Sequence, residues 1–160
     1  MSISAQGANL LTAAFTSGGF AAAAGNVNFT NANTITYAIN GQFYSRASVA
    51  SQAMTIEPGT GIVPTAPNTL QTVPAGQACA FAVVLDTSAA FTVIQGPLVQ
   101  STDKTPVPAA PAGKAIVGVI KVVNATLTTN GGYRPGTDAT NSAGLTTTFV
   151  NLSQHPGSAI

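Results

Sequence analysis

The sequence predicts an all-β fold, an antiparallel β-sandwich or jelly-roll-like barrel with an extended or partly helical N-terminal arm. From residue 26 onward, short runs of Thr, Val, Ile, Phe and Tyr alternate with turn residues. An Asn-Gly pair separates two such runs at residues 40–41, and residues 115–123 form the longest apolar run. We therefore expect an arm over residues 1–30 and a single β domain over residues 31–160.

The first 25 residues differ from the rest because alanine dominates them. Alanine favours helix, but Gly18 and Gly19 each cost about 1 kcal/mol relative to alanine, so any helix is short or broken. Two interpretations stay open for this segment. It is either a partly ordered tail or an arm whose Phe15 and Phe20 dock on a neighbouring subunit.

The Asn-Gly pair at residues 40–41 predicts a β-hairpin. Asn-Gly tolerates the positive φ angles of a type I′ turn, whose twist matches that of paired strands. A two-residue loop sets Ile39 opposite Gln42 and Tyr37 opposite Tyr44. The residues expected on one face are Ile35, Tyr37, Ile39 and Tyr44.

The strand predicted over residues 78–85 has one large face and one small face. Its large residues are Cys79, Phe81, Val83 and Leu85, and they alternate with Ala78, Ala80, Ala82 and Val84. The large face is expected to fill a core, with Cys79 as a buried small hydrophobe. The small face permits close approach of a second layer or a second subunit. Ala78, Ala80 and Ala82 are therefore candidate assembly contacts, together with Phe15 and Phe20.

The remaining segments complete the β pattern. Residues 57–77 are rich in Pro and Gly and predict a loop, and residues 91–94 predict a short strand. Residues 96–113 contain four prolines and predict a stiff extended connector. Residues 115–123 are apolar on both faces, as expected of a central strand.

Within that central strand, Lys121 is expected on the face of Val117, Val119 and Val123, near the strand exit where its stem can snorkel. Residues 145–152 predict the last strand, and residues 153–160 a tail.

Charged residues are scarce, at 6% of the chain against about 25% in a typical domain. A net charge of +1 without a basic cluster disfavours direct binding to nucleic acid. No apolar run is long enough to span a membrane. Nothing before Arg46 is charged, so a signal peptide is not expected and the mature protein should start near Met1. The single cysteine rules out an internal disulfide.

The residues that carry enzyme chemistry are few. His155 is the only histidine and lies near the C-terminus, where a solvated side chain is the usual role. The four carboxylates are at least 17 residues apart in sequence and form no local metal or acid–base motif. Cys79 has no base near it in sequence and is not expected to be a nucleophile. We expect no catalytic site, no cofactor and no bound metal.

Several segments resemble small virion proteins of tailed bacteriophages. Residues 111–122 (PAGKAIVGVIKV), 133–137 (YRPGT) and 143–152 (AGLTTTFVNL) are similar to the C-terminal half of these proteins. Residues 37–46 (YAINGQFYSR) are similar to their first strand pair. The family includes head decoration, or cement, proteins, which are β-sandwich or jelly-roll modules bound as oligomers on the capsid.

This resemblance implies a non-enzymatic virion protein that binds the outer capsid surface between major capsid protein subunits and stabilises the head. Its partners would be the major capsid protein and further copies of itself, as a dimer or trimer, and it would be made in the host cytoplasm. The N-terminal arm with Phe15 and Phe20 would act as a strap. Deleting residues 1–25 would then leave the β domain folded and weaken assembly.

Two alternatives stay open. The chain could be another phage virion module, such as a head-fibre base, tail or baseplate component, which the same neutral β surface would serve. It could also be a hydrolase whose site is assembled by folding. That second alternative requires His155 to meet two of the carboxylates in a pocket.

Overall fold

Strands make up most of the regular structure in residues 11–63 and 65–153, the part of the chain that this computed structural model describes. The strands are β1 (Ala13–Ala14), β2 (Phe20–Ala22), β3 (Phe29–Asn31), β4 (Ile35–Ile39), β5 (Gln42–Arg46), β6 (Val49–Gln52), β7 (Gln77–Leu85), β8 (Phe91–Gln95), β9 (Val99–Gln100), β10 (Ala115–Asn124) and β11 (Leu145–Asn151). A short 3-10 turn covers Thr129–Gly131.

Three antiparallel sheets enclose one main core. Two are three-stranded, in the orders β1-β4-β5 and β2-β3-β6, and the third runs β11-β10-β7-β8 with β9 paired to β7. Large buried side chains from all three sheets pack into one cluster, among them Tyr37, Phe29 and Phe81. The all-β antiparallel fold class predicted from the sequence is confirmed.

The β4–β5 hairpin has the predicted register. Ile39 pairs with Gln42 and Tyr37 pairs with Tyr44 across the two-residue loop. The rings of Tyr37 and Tyr44 stack with centroids 5.6 Å apart. Asn40 has a φ of 51°, which asparagine tolerates and which a type I′ turn requires.

β10 lies inside the largest sheet, as predicted for a central strand, and β7 lies beside it. β10 lies between β7 and β11, and the large residues of β7 all enter the core. The register between β7 and β10 shifts between Ile116 and Gly118, so Val117 is an extra residue at a bulge. Val117 therefore joins the core with Ile120, and the prediction that it shares a face with Lys121 is wrong.

Residues 11–31 contribute three short strands to the fold, which corrects the predicted arm for this part of residues 1–30. β1 pairs with β4, and β2 pairs with β3. Asn151 Oδ1 accepts a hydrogen bond of 2.6 Å from Phe20 N, which ties β2 to the end of β11. Tertiary packing thus overrides the helical preference of alanine. Deletion of residues 1–25 would remove β1 and β2, so truncation is expected to disrupt the fold instead of leaving it intact.

Buried amide side chains hold the long loops against the sheets. Asn124 Nδ2 donates to Val73 O at 2.8 Å and to Leu127 O at 2.9 Å. Gln95 Oε1 accepts from Gln71 N at 2.6 Å, and Gln95 Nε2 donates to Gln71 O at 2.9 Å. Since buried polar groups need such partners, these bonds fix where each loop crosses the core.

Candidate assembly surface

Phe20, a predicted assembly contact, is a core residue. Its side chain is 5% exposed, and its ring centroid lies 5.8 Å from Phe29 and 6.1 Å from Phe91 in edge-to-face geometry. A Cβ at Gly118 would lie 2.6 Å from the Phe20 ring, so the glycine leaves the space that the ring fills. The prediction that Phe20 docks on another subunit is corrected, because the ring is enclosed by its own chain.

The alanine face of β7 is also buried inside the chain. Ala78, Ala80 and Ala82 are 0 to 1% exposed. The covering layer is the proline-rich connector, because a Cβ at Gly96 would lie 3.0 Å from a connector carbonyl oxygen and 3.1 Å from Ala80 O. Further along, Ala110 of the connector packs against the cluster formed by Ala82, Val84 and Ile94. The small face of β7 was predicted to pack against a second layer or a second subunit, and residues 106–110 of the same chain form that layer. The prediction that these alanines contact another subunit is therefore corrected.

Phe15, the remaining predicted contact, lies on the outside of the β1-β4-β5 sheet. Its ring centroid is 5.2 Å from that of Phe43, which is 71% exposed. Leu11, 48% exposed, lies beside the same hairpin, where its carbonyl accepts a hydrogen bond from Gly41 N. We call Leu11, Phe15 and Phe43 the aromatic surface. Leu11 and Phe43 are exposed and Phe15 is half-buried, and a contiguous exposed apolar patch of this kind is a candidate interaction site.

Phe43 was missed in the sequence although the hairpin register contains the signal for it. The register places Phe43 opposite Ala38, so it points to the face opposite that of Tyr44. Ala38 is itself 1% exposed, and its neighbours across the two adjoining strands are Ala13 and Phe43. Phe43 could have been identified from the sequence as a candidate contact, because the predicted register places this aromatic residue on the outer face of the hairpin, next to small residues.

The outer edge of β5 presents backbone hydrogen-bonding groups. The residues that flank a two-residue turn are hydrogen-bonded to each other, and bonded pairs then alternate along an antiparallel ladder. Phe43 and Ser45 therefore direct their N–H and C=O groups away from β4. Thr36, the partner of Ser45, faces the other way and accepts from Phe15 N at 2.8 Å. Within the described residues, Phe43 and Ser45 make no backbone hydrogen bond at this edge.

The long edge at β8 is covered by the chain itself. At β8, Val93 N donates to Thr55 O and Glu57 N donates to Val93 O, both at 2.8 Å. β11 (Leu145–Asn151) is also an edge strand, and the bond from Phe20 N to Asn151 Oδ1 joins only its end to β2. β6 is shorter, and its pairing with β3 is irregular. β5 is thus a regular edge strand that lacks such a cover among the described residues.

Folding brings together two carboxylates and a lysine that the sequence keeps apart. Lys114 Nζ lies 2.9 Å from Glu57 Oε2 and 3.4 Å from Asp86 Oδ2. Thr92 Oγ1 donates to Glu57 Oε2 at 2.6 Å. The loops that carry these groups are far apart in sequence and come together only in the folded chain. No local sequence motif therefore predicts the cluster.

The charge cluster keeps its groups ionised. Burial alone would lower the pKa of Lys114, but hydrogen bonding to Glu57 and the charges of Glu57 and Asp86 outweigh it and raise that pKa. Burial would raise the pKa of Asp86, but hydrogen bonds from Ser88 and Ala90 and the charge of Lys114 lower it to about 2. A lysine and a carboxylate with such pKa values serve as a structural ion pair better than as an acid–base couple near neutral pH.

A groove of about 670 Å³ lies beside this cluster. β1, the connector residues 110–114, Ile116 and Leu152 line it. Its charged lining residue within the described part of the chain is Lys114, which is already paired with two carboxylates. The groove therefore offers little to recognise a charged small molecule.

Of the other two reactive side chains, the structure describes only Cys79, and Cys79 does not supply a site. Cys79 is 0% exposed, and burial raises the pKa of its thiol to about 11, despite hydrogen bonds to Gln95 and Gly96. Such a thiol stays protonated and is a poor nucleophile. His155 lies outside the described residues, so the prediction of a solvated side chain stays a prediction, as does the hydrolase alternative, which requires His155 to meet two carboxylates.

The described residues hold neither a metal-binding cluster nor a membrane-spanning helix. They contain no group of three or more His, Cys, Asp or Glu side chains arranged to hold a metal ion. Over residues 11–63 and 65–153, no helix has both the length and the apolar character needed to cross a membrane.

Fold and surface together define an all-β protein of antiparallel sheets, in which the aromatic surface lies beside an edge strand whose outer side has no partner among the described residues. Comparison with known proteins adds no relative, because no family model, no curated protein and no solved structure matches the chain. Inference about function therefore rests on the residues themselves and on the resemblance noted from the sequence.

Proposed function

We propose that this protein is a non-enzymatic structural component of a tailed-phage virion. In this proposal it binds the outer surface of the capsid between major capsid protein subunits and stabilises the head. The observation that carries the proposal is the aromatic surface of Leu11, Phe15 and Phe43 on the outside of the β1-β4-β5 sheet. The resemblance of residues 111–122 and 143–152 to head decoration proteins directs it to the capsid.

The aromatic surface can supply binding energy without a large desolvation cost. Burying a phenylalanine side chain is worth about 1.5 to 3 kcal/mol, and most of Phe43 is exposed before binding. The neighbouring outer-face residues Thr36, Ala38 and Ser45 are uncharged. Contact with a capsid subunit would therefore strip water from few charges, which is the costly part of burying a surface.

The scarcity of charge supports close packing of many copies. The chain has a net charge of +1 and 6% charged residues, so repulsion between neighbouring copies is weak. On a capsid lattice each copy can touch several subunits at once, and simultaneous contacts raise the overall affinity without a strong individual interface.

The charge cluster supports a structural role over hydrolysis. A general base works best when its pKa lies near the operating pH. The pKa of Asp86 is about 2 and that of Lys114 is raised, which leaves each in its ordinary charged form. The cluster ties the loop before β10 to the loops that carry Glu57 and Asp86, as a brace within the fold.

Binding to empty shells tests the proposal. Shells assembled from the major capsid protein of the same genome are sedimented with the wild-type protein, Phe43→Ser or Val107→Ser. Val107 is a matched control because it is 51% exposed and lies on the connector. We expect saturable binding of wild type, at least about tenfold weaker binding of Phe43→Ser, and unchanged binding of Val107→Ser.

Two results would contradict this assignment. Wild-type protein that fails to bind shells but binds isolated tails or baseplates would assign it to the other virion module. Equal loss of shell binding in Phe43→Ser and Val107→Ser would remove the aromatic surface as the contact.

A further inference from the structure

We infer that β5 pairs with β5 of a second copy of this chain, antiparallel and about a two-fold axis, so that two β1-β4-β5 sheets join into one. This inference rests on the proposed function and deepens it by naming a partner for the bare edge beside the aromatic surface. The edge makes the contact between copies, and the outer face stays available to the capsid.

The outward backbone groups of β5 are spaced to pair with an extended strand. Phe43 and Ser45 each direct an N–H and a C=O away from β4, and these groups have no backbone partner within the described residues. Backbone groups in this spacing are satisfied by another extended strand. An aromatic groove or a helix on the partner would leave them bonded only to water.

One register pairs the whole strand. With the two-fold axis at Tyr44, Phe43 lies opposite Ser45 of the second copy. The outward N–H of each then donates to the C=O of the other, as in a hydrogen-bonded antiparallel pair. Tyr44 lies opposite Tyr44 of the second copy as a non-hydrogen-bonded pair. All residues from Gln42 to Arg46 gain a partner.

The charge of β5 favours a second copy of the strand in the antiparallel orientation. Arg46 is the charged residue of β5, and its guanidinium lies 5.2 Å from the centroid of the Phe91 ring of its own chain. In the antiparallel register Arg46 faces Gln42 of the second copy, an uncharged acceptor. A parallel register would bring the two Arg46 side chains together, and like charges directly opposite are destabilising.

Arg46 is the one feature of β5 that usually protects an edge. The pairing of β5 with β4 shows no bulge, and the strand contains neither proline nor lysine. Proteins commonly use such features to prevent edge-to-edge pairing. In the joined sheet, the Phe15–Phe43 pairs of both copies lie on the same outer face, which doubles the aromatic surface offered to the capsid.

Sedimentation equilibrium of the full-length protein tests the pairing. Ser45→Pro removes an N–H that points away from β4, so the β4–β5 ladder keeps its bonds, whereas Ser45→Ala keeps that N–H and is the matched control. We expect wild type and Ser45→Ala to be dimers. The Ser45→Pro dimer should dissociate about thirtyfold more readily. The substitution removes one hydrogen bond from each copy, and the two-fold symmetry of the dimer makes this a loss of two ordinary hydrogen bonds.

A cross-link keeps the test valid if Ser45→Pro fails to fold. Non-hydrogen-bonded antiparallel partners have Cα atoms about 4.5 Å apart, within the range that a disulfide spans. Tyr44→Cys should therefore form a disulfide-linked dimer under mild oxidation, while Cys79 is buried and unreactive. Phe43→Cys faces Ser45 of the second copy and should cross-link far less.

Three outcomes overturn the pairing: a monomeric or trimeric wild type, a Ser45→Pro protein that is folded and dimerises normally, or equal cross-linking of Tyr44→Cys and Phe43→Cys. Shell binding separates this failure from failure of the proposed function. A monomeric wild type that binds shells would overturn the pairing alone. A β5-paired dimer that binds no shells would overturn the capsid role alone.

Discussion

Phe15 and Phe20 lie in one alanine-rich segment, yet their environments are opposite. Phe20 belongs to an enclosed cluster with Phe29 and Phe91, whereas Phe15 contacts the exposed ring of Phe43 on the outside of the molecule. The difference follows from the strands on either side. β2 turns Phe20 toward the space above Gly118, while the chain leaving β1 turns Phe15 to the outer face of the β1-β4-β5 sheet.

The comparison separates two roles for the same type of side chain. An enclosed aromatic ring stabilises the fold through lost water contact and close packing. An exposed ring adds little to the stability of the fold, and its apolar surface can be buried against a partner. Substitutions in the two clusters should therefore divide between loss of stability and loss of assembly.

The largest expected effect is on Phe20. Phe20→Ala should lower the free energy of unfolding by about 3 to 5 kcal/mol, because it empties a site enclosed by two other rings. Urea unfolding monitored by circular dichroism measures this change. A loss no greater than that of Phe43→Ala would contradict the division between the two clusters.

Gly118→Ala should have the next largest effect, about 1 to 3 kcal/mol. The added methyl group would lie 2.6 Å from two atoms of the Phe20 ring, so the ring must move. The double variant Phe20→Leu with Gly118→Ala should lose less stability than the sum of the single losses, because the smaller side chain leaves room. Strict additivity in the same unfolding assay would show that the ring does not compete for this space.

Asp86 should make stability depend on acid pH. Its pKa falls from 3.8 to about 2 in the folded chain, so its stabilisation is complete above about pH 4 and disappears as the pH falls toward 2. Allowing for its partial exposure, the contribution is about 1 to 2 kcal/mol. Thermal melts should show a shallower loss of stability over this range for Asp86→Asn than for wild type. The exposed carboxylate change Asp103→Asn is the control and should follow wild type.

Phe43→Ala should have the smallest effect on the fold, within about 0.5 kcal/mol of wild type, as is usual for exposed positions. The same variant should nevertheless bind shells more weakly than wild type. Unfolding and co-sedimentation of one protein preparation compare the two directly. A large loss of stability with normal shell binding would reverse the roles assigned to the two clusters.

Locally encoded features were predictable from the sequence. The β4–β5 register follows from the chemistry of Asn40 and Gly41, whose φ angles of 51° and 78° fit a two-residue turn. The two faces of β7 follow from the alternation of large and small residues along it. The central position of β10 follows from its apolar character on both faces.

Features that depend on distant contacts were not predictable in the same way. The bulge at Val117 depends on how β10 meets β7, and the cover over the β7 alanines comes from a connector far along the chain. β1 and β2 form because other strands pair with them, against their local helical preference. Phe43 was predictable in placement, since the register fixes its face, but its exposure depends on what covers that face.

The most direct test of the central claim is a cryo-electron microscopy map of shells decorated with the wild-type protein. The claim is that the outer face of the β1-β4-β5 sheet, with Phe15 and Phe43, is the surface that meets the capsid. We expect density on the outer shell surface with both rings buried against capsid subunits. Bound protein with Phe15 and Phe43 facing solvent, or density only at the tail, would contradict it.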